Sequence, residues 1–113
     1  MNRFEMTEEF EKWMKKLGKK DTRAHAKVLT RMDRASKGNF GDVQSVGQGV
    51  SEMRIDYGKG LRVYFSRIGN LVFLLLIGGD KSNQADDILE AHRLAEAYGR
   101  LHLTAAKNGT LWH

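Results

Sequence analysis

Apolar residues in the first third of the chain recur at helical spacing. Phe10, Trp13, Met14 and Leu17 fall at i, i+3, i+4 and i+7, which puts them on one face of a helix. Thr7 stands where an N-cap is needed, and Glu8 and Glu9 occupy the first turn, beside the positive end of the helix dipole. Gly18 is expected to stop this helix and Asp21 to cap a second one, with Ala24, Val28, Met32 and Ala35 on its apolar face. The pattern therefore predicts an antiparallel helical hairpin, closed by Gly38 and followed by a loop, Gly38-Asn39-Phe40-Gly41-Asp42.

From Val50 the period changes to two. Met53 and Ile55 alternate with Glu52, Arg54 and Asp56, and Leu61, Val63 and Phe65 alternate with Arg62, Tyr64 and Ser66, as expected of two amphipathic strands. Gly58-Lys59-Gly60 lies between them and predicts an antiparallel hairpin. Facing residues share a side of the sheet, so burying both apolar sets requires even positions to face even ones, Arg54 opposite Arg62 or Tyr64. The turn then holds an odd number of residues, three or five. Leu71 to Ile77, after a turn at Gly69-Asn70, is continuously apolar and reads as a central strand buried on both faces, ended by Gly78-Gly79. A third helix is expected from about Ala85 to Tyr98, with Ile88, Ala91, Ala95 and Tyr98 along one stripe. The fold class is α+β: a helical hairpin packed on a small antiparallel sheet, with a closing C-terminal helix. Residues 1–98 form one domain, and periodicity assigns no structure to the tail, residues 99–113.

Composition narrows the function. The 113 residues include no Cys and no Pro, so disulfide frameworks, zinc ribbons, iron–sulfur clusters and cysteine nucleophiles are excluded together. The longest apolar run is far short of the roughly 20 residues a membrane helix needs, and no secretory pattern opens the chain; a cytoplasmic protein is expected. The net charge is +5, and nearly all the surplus lies in residues 1–37, with eleven basic and six acidic side chains. Such a segment suits a phosphate-rich or acidic partner, or is a solvated helix face.

Two groups of side chains carry candidate chemistry. On the second helix Arg23, Lys27, Arg31 and Arg34 follow at spacings of four, four and three and share a face; they suit a nucleic-acid backbone, and solvated helices show the same pattern. On the two strands the alternation gathers Glu52, Arg54, Arg62 and Tyr64 on the polar face. A carboxylate able to take a proton, flanked by guanidiniums that grip phosphate oxygens, suits phosphodiester cleavage without a metal. The competing reading is cross-strand ion pairing on a solvated face. Lys81, in the loop after the buried strand, is placed to neutralise or protonate a leaving oxygen, or is an ordinary exposed loop lysine. Phe40 can stack on a base or plug the core, the usual role of a large aromatic. No phosphate loop, nucleophile elbow or paired metal-ligand spacing is present, so neither a metal nor another cofactor is expected.

Four segments taken in order, Gly38-Asn39-Phe40-Gly41-Asp42, Val46 to Ile55, Gly58 to Phe65 and Gly78-Gly79-Asp80-Lys81-Ser82-Asn83-Gln84, resemble the HigB-like "addiction module killer" branch of the RelE/ParE toxin superfamily. The resemblance covers residues 4–98 and implies a RelE-like fold and the toxin of a type II toxin–antitoxin system. It implies a cognate antitoxin, in this branch usually a helix-turn-helix DNA-binding protein, and as target the ribosome and its mRNA, cut by attack of a 2′-hydroxyl on the adjacent phosphate. ParE-like members poison DNA gyrase instead, and a non-catalytic RNA- or protein-binding module of the same fold is a third possibility. Arg62 matches the strand arginine of the ribonuclease members, and Arg54 and Lys81 match less closely. On this reading Arg54 and Arg62 bind the phosphate, Lys81 stabilises the leaving group, Glu52 abstracts the proton, and the stripe from Arg23 to Arg34 meets ribosomal RNA.

Overall fold

The computed structural model describes residues 2–68 and 72–107. The chain begins with a short strand, β1 (Arg3–Met6), and turns at Thr7 into α1 (Glu8–Lys20). The Thr7 hydroxyl accepts the Phe10 amide at 2.9 Å and donates to the Leu76 carbonyl at 2.6 Å. One buried side chain thus caps the helix and ties it to the sheet. Gly18 does not stop α1, contrary to expectation. A Cβ there would lie 3.2 Å from the His25 ring, so the glycine makes room for the packing of α2. Asp21 ends one helix and starts the next: its amide bonds the Leu17 carbonyl at 2.7 Å and its carboxylate accepts the Ala24 amide at 3.1 Å. α2 (Thr22–Ser36) follows and completes the expected hairpin.

The sheet is mixed rather than purely antiparallel. β2 (Val43–Ser45), β3 (Val50–Ile55), β4 (Leu61–Ile68) and β5 (Val72–Asp80) form an antiparallel series, and β1 adds to β5 in parallel, giving the order β1-β5-β4-β3-β2. The hairpin register is the one the parity argument allows: Arg54 faces Arg62 and Ile55 faces Leu61 across a five-residue turn, Asp56 to Gly60. Gly58 and Gly60 take φ of +57° and +85° there, conformations open mainly to glycine. The expected turn at Gly69-Asn70 and residue Leu71 lie outside the described residues.

After β5 a 3-10 turn, Lys81–Asn83, capped by Asp80 on the Ser82 amide, leads into α3 (Gln84–Lys107). This helix runs past Tyr98 into the segment left unassigned by periodicity; residues 108–113 lie outside the described residues.

Both faces of the sheet are covered. Phe10, Met14, Val28, Met53, Val63, Phe65 and Leu75 form the core under α1 and α2, and Phe40 plugs it, its ring 5.0 Å from Phe73 and 5.4 Å from Phe65 by centroid. Val50, Tyr64, Leu74, Leu76, Ala91 and Leu94 form a second core under α3. The strand face that alternation marks as polar is therefore roofed by a helix, which sets the character of the site. Gly78 and Gly79 allow close approach of the layers, Trp13 packing on the first and Asp87 on the second. Among the described residues no helix is long and apolar enough to cross a membrane.

Candidate functional site

Glu52 lies on β3 beneath the start of α3, and its side chain is 0% exposed. A lone carboxylate there would be driven to its neutral form, but this one is saturated with donors. Oε1 accepts Arg54 Nε at 2.8 Å, and Oε2 accepts the Tyr64 hydroxyl at 3.0 Å and Gln84 Nε2 at 2.8 Å. Arg62 Nε faces Oε2 across 3.6 Å. Burial pushes the Glu52 carboxyl up, but the hydrogen bonds from Arg54, Gln84 and Tyr64 and the charge of Arg62 outweigh it and hold the group below the usual carboxylate range. Tyr64 is pushed far up by burial and by its bond to Glu52, so it stays a protonated donor.

Glu52 is thus brought together with Arg54 and Arg62 as expected, but in a different role. Having no exposed surface and both oxygens engaged, it is not placed to take a proton from a substrate. It is a buried counter-ion that aims two guanidiniums. The solvated-face reading is set aside as well, because Glu52 and Tyr64 are fully buried.

The arginines emerge at an open cleft of about 460 Å³ at the hairpin end of the sheet, lined by Arg54, Arg62, Lys81, Lys59, Asp42 and Asp56 among others. Four cations and two carboxylates leave its rim positive. Arg54, whose side chain is 38% exposed, reaches Gln44 Oε1 through Nη2 while Nε stays on Glu52. Arg62 is only 11% exposed. Its Nη1 lies 3.5 Å from the Gly60 carbonyl, and its Nε is buried with no hydrogen-bond partner among the described residues. That nitrogen is held by charge rather than by a short hydrogen bond, since it faces Glu52 Oε2 across 3.6 Å. Lys81 is fixed beside it by its backbone, its amide bonding the Gly60 carbonyl at 3.0 Å.

One cleft thus gathers Arg54, Arg62, Lys59 and Lys81, and the chain has a relative among known proteins. It is 47% identical over 90 residues to an uncharacterized protein of Haemophilus influenzae, a match covering 80% of this chain and 89% of that protein. The chain belongs to that protein's family. No protein-family model matches it.

The helix stripe is divided by the structure. Arg23, Lys27 and Arg34 are exposed on α2, but Arg31 is half-buried and turned inward, Nη1 donating to the Arg54 carbonyl at 2.6 Å and Nη2 to the Phe40 carbonyl at 2.9 Å. The spacing that puts Arg31 on the edge of the basic face also brings it against the core edge, so four cations at helical spacing reduce to three available ones. Gln84 and Lys59 stand in the sequence only as parts of the Gly78–Gln84 segment and of the hairpin turn, with no expected role at the site. Gln84 had one legible signal: it opens a helix whose apolar stripe needs a sheet face to cover, which places its amide over the polar residues of that face. Among the described residues no group of three or more His, Asp or Glu side chains is arranged to hold a metal.

Proposed function

We propose that this chain is the toxin of a type II toxin–antitoxin pair, with a RelE-like fold, and that it is a ribosome-dependent mRNA endoribonuclease working with side-chain cations. The observation that carries this reading is the convergence of Arg54, Arg62 and Lys81 on one cleft, with both arginines backed by a buried carboxylate. The match of Arg62 to the strand arginine of the ribonuclease toxins, with Arg54 and Lys81 matching less closely, supports the same reading.

In the proposed reaction the 2′-oxygen of a ribose attacks the adjacent phosphorus while the bond to the 5′-oxygen breaks; the 2′-hydroxyl gives its proton to solvent and the departing 5′-oxygen takes one from solvent, leaving a cyclic phosphate and a 5′-hydroxyl. Arg62 and Arg54 bind the non-bridging oxygens, where negative charge builds in the pentacovalent transition state; fixed donors act most strongly there. Lys81 stands at the cleft to stabilise the departing oxygen. Glu52 moves no proton in this scheme. It keeps the guanidiniums oriented before substrate arrives, so that little reorganisation remains for the chemical step. Arg23, Lys27 and Arg34 supply the attraction to ribosomal RNA, and a helix-turn-helix antitoxin is the partner that silences the protein.

The test is expression without an antitoxin, followed by primer extension on cellular mRNA. Growth arrest with new 5′ ends inside translated messages, and none in untranslated RNA, is the expected outcome. Intact message with gyrase-linked double-strand breaks would transfer the chain to the ParE-like mode. Unimpaired growth at verified expression would make it a non-catalytic binding module.

A further inference from the structure

We propose that Arg31, on α2, is a positioning residue of the cleft: it fixes the backbone of Arg54 from the opposite side of the sheet, where the strand ladder runs out. The proposal rests on the phosphodiester reading of the cleft for its catalytic consequence, though not for its structural one.

β2 is only three residues long, and its pairing with β3 ends at Val43 opposite Met53. The next residue of β3 is Arg54. Its amide reaches the Asp42 carbonyl at 2.9 Å, in the loop just before β2. In a strand the amide and carbonyl of one residue point to the same side, so the Arg54 carbonyl also points to this edge, where no further strand residue meets it. Arg31 Nη1 takes that place, at 2.6 Å. Its Nη2 holds the Phe40 carbonyl at 2.9 Å, so a single guanidinium joins the 38–42 loop to the strand that carries Arg54.

The loop is shaped to admit this group. Gly41 has φ of +67°, and a Cβ there would lie 2.5 Å from Arg31 Nη2. Only the absence of a side chain leaves room for the fork. Arg54 is consequently held at two points, its guanidinium by Glu52 on the α3 side and its backbone by Arg31 on the α2 side. Two divergent carbonyls need a planar fork, which a lysine ammonium does not offer, although it preserves the charge. That difference separates positioning from simple RNA contact.

The variants are Arg31→Gln, Arg31→Lys and Gly41→Ala, the last displacing the guanidinium while leaving it in the sequence. Each is checked for a cooperative melt and measured well below its midpoint, and Arg31→Lys and Gly41→Ala remain to test the idea should Arg31→Gln fail to fold. Two readouts are taken on the full chain: the ¹⁵N–¹H signal of Arg54 Nε, which reports its bond to Glu52, and single-turnover cleavage on ribosomes programmed with a defined mRNA, alongside ribosome affinity against salt. All three variants are expected to shift or broaden the Arg54 Nε signal. They should slow cleavage by about tenfold or more, the scale of a small misplacement of a reacting group, with ribosome affinity and its salt slope unchanged. Arg31→Lys should not rescue, and Arg31→Gln combined with Gly41→Ala should be no slower than the worse single variant, since both break one link.

A salt slope lowered by about one in Arg31→Gln and restored in Arg31→Lys would make Arg31 an RNA contact and overturn the proposal. So would an unmoved Arg54 signal in folded variants. If the unaltered protein cuts no RNA while the Arg54 signal still shifts in all three variants, the function proposed for the cleft fails and the anchoring of Arg54 by Arg31 stands.

Discussion

Replacing Glu52 with Gln removes one negative charge from a fully buried point and changes almost nothing in shape. The carboxylate accepts from Arg54, Tyr64 and Gln84 and faces Arg62 Nε across 3.6 Å. An amide supplies one acceptor oxygen and turns its NH₂ toward donors, so at least one donor pair is set face to face. Breaking a buried ion pair from one side costs about 3–5 kcal/mol. Solvent still reaches Arg54 and softens the loss, which leaves about 2–4 kcal/mol for Glu52→Gln. At this chain length that corresponds to a drop in Tm of roughly 8–16 °C. The pH dependence follows from the lowered carboxyl: the Glu52 contribution is fully present above the unfolded value of about 4.3 and is lost as pH falls through the lower folded value. Urea titrations of both proteins from pH 7 down to pH 3 should show a gap that is constant at neutral pH and closes in acid. A gap under about 0.5 kcal/mol at pH 7 with equal m-values, or one that widens in acid, would refute the counter-ion role.

Other expectations are independent of that network. Gly78→Ala should destabilise the fold by about 1–3 kcal/mol, because its Cβ would enter the Trp13 ring where α1 lies on β5; a urea midpoint equal to that of the unaltered protein would show that the ring yields freely. Replacing Arg23, Lys27 and Arg34 with Gln should weaken ribosome pelleting and lower its salt slope by about one unit per lost phosphate contact, with the melting curve unchanged. Pelleting unaltered at every salt concentration would leave the stripe a solvated face.

What the sequence disclosed follows the range of the forces involved. Thr7 and Asp21 are legible as caps because they act within one turn, and the five-residue hairpin turn is legible because side-chain parity is a local constraint. β1 was not legible: its partner β5 lies more than sixty residues away, and its four residues, Arg3-Phe4-Glu5-Met6, alternate over too short a span to mark a strand. β2 is too short to show a period. The polar face of β3 and β4 misled, since Glu52 and Tyr64 look solvated until α3 is laid over them. The contrary signal was present in Ile88, Ala91 and Ala95, an apolar stripe that needs a sheet face to cover. The site residues were legible in part. Arg54, Arg62 and Lys81 do meet at one cleft, but which arginine of α2 turns inward depends on where β2 stops and on the missing side chain of Gly41, neither of which periodicity encodes.

Arg62 carries the central claim, because its side chain lines the cleft while its Nε faces the buried Glu52 carboxylate across 3.6 Å. The direct test is single-turnover cleavage of a defined mRNA on programmed ribosomes by the purified protein and by folded Arg62→Ala and Arg62→Lys. Loss of a donor that strengthens as the phosphorane forms should slow Arg62→Ala by about 10² or more, with ribosome affinity nearly unchanged. Arg62→Lys should remain slow, since an ammonium keeps the charge and loses the fork. Cleavage by Arg62→Ala at the rate of the unaltered protein would contradict the account.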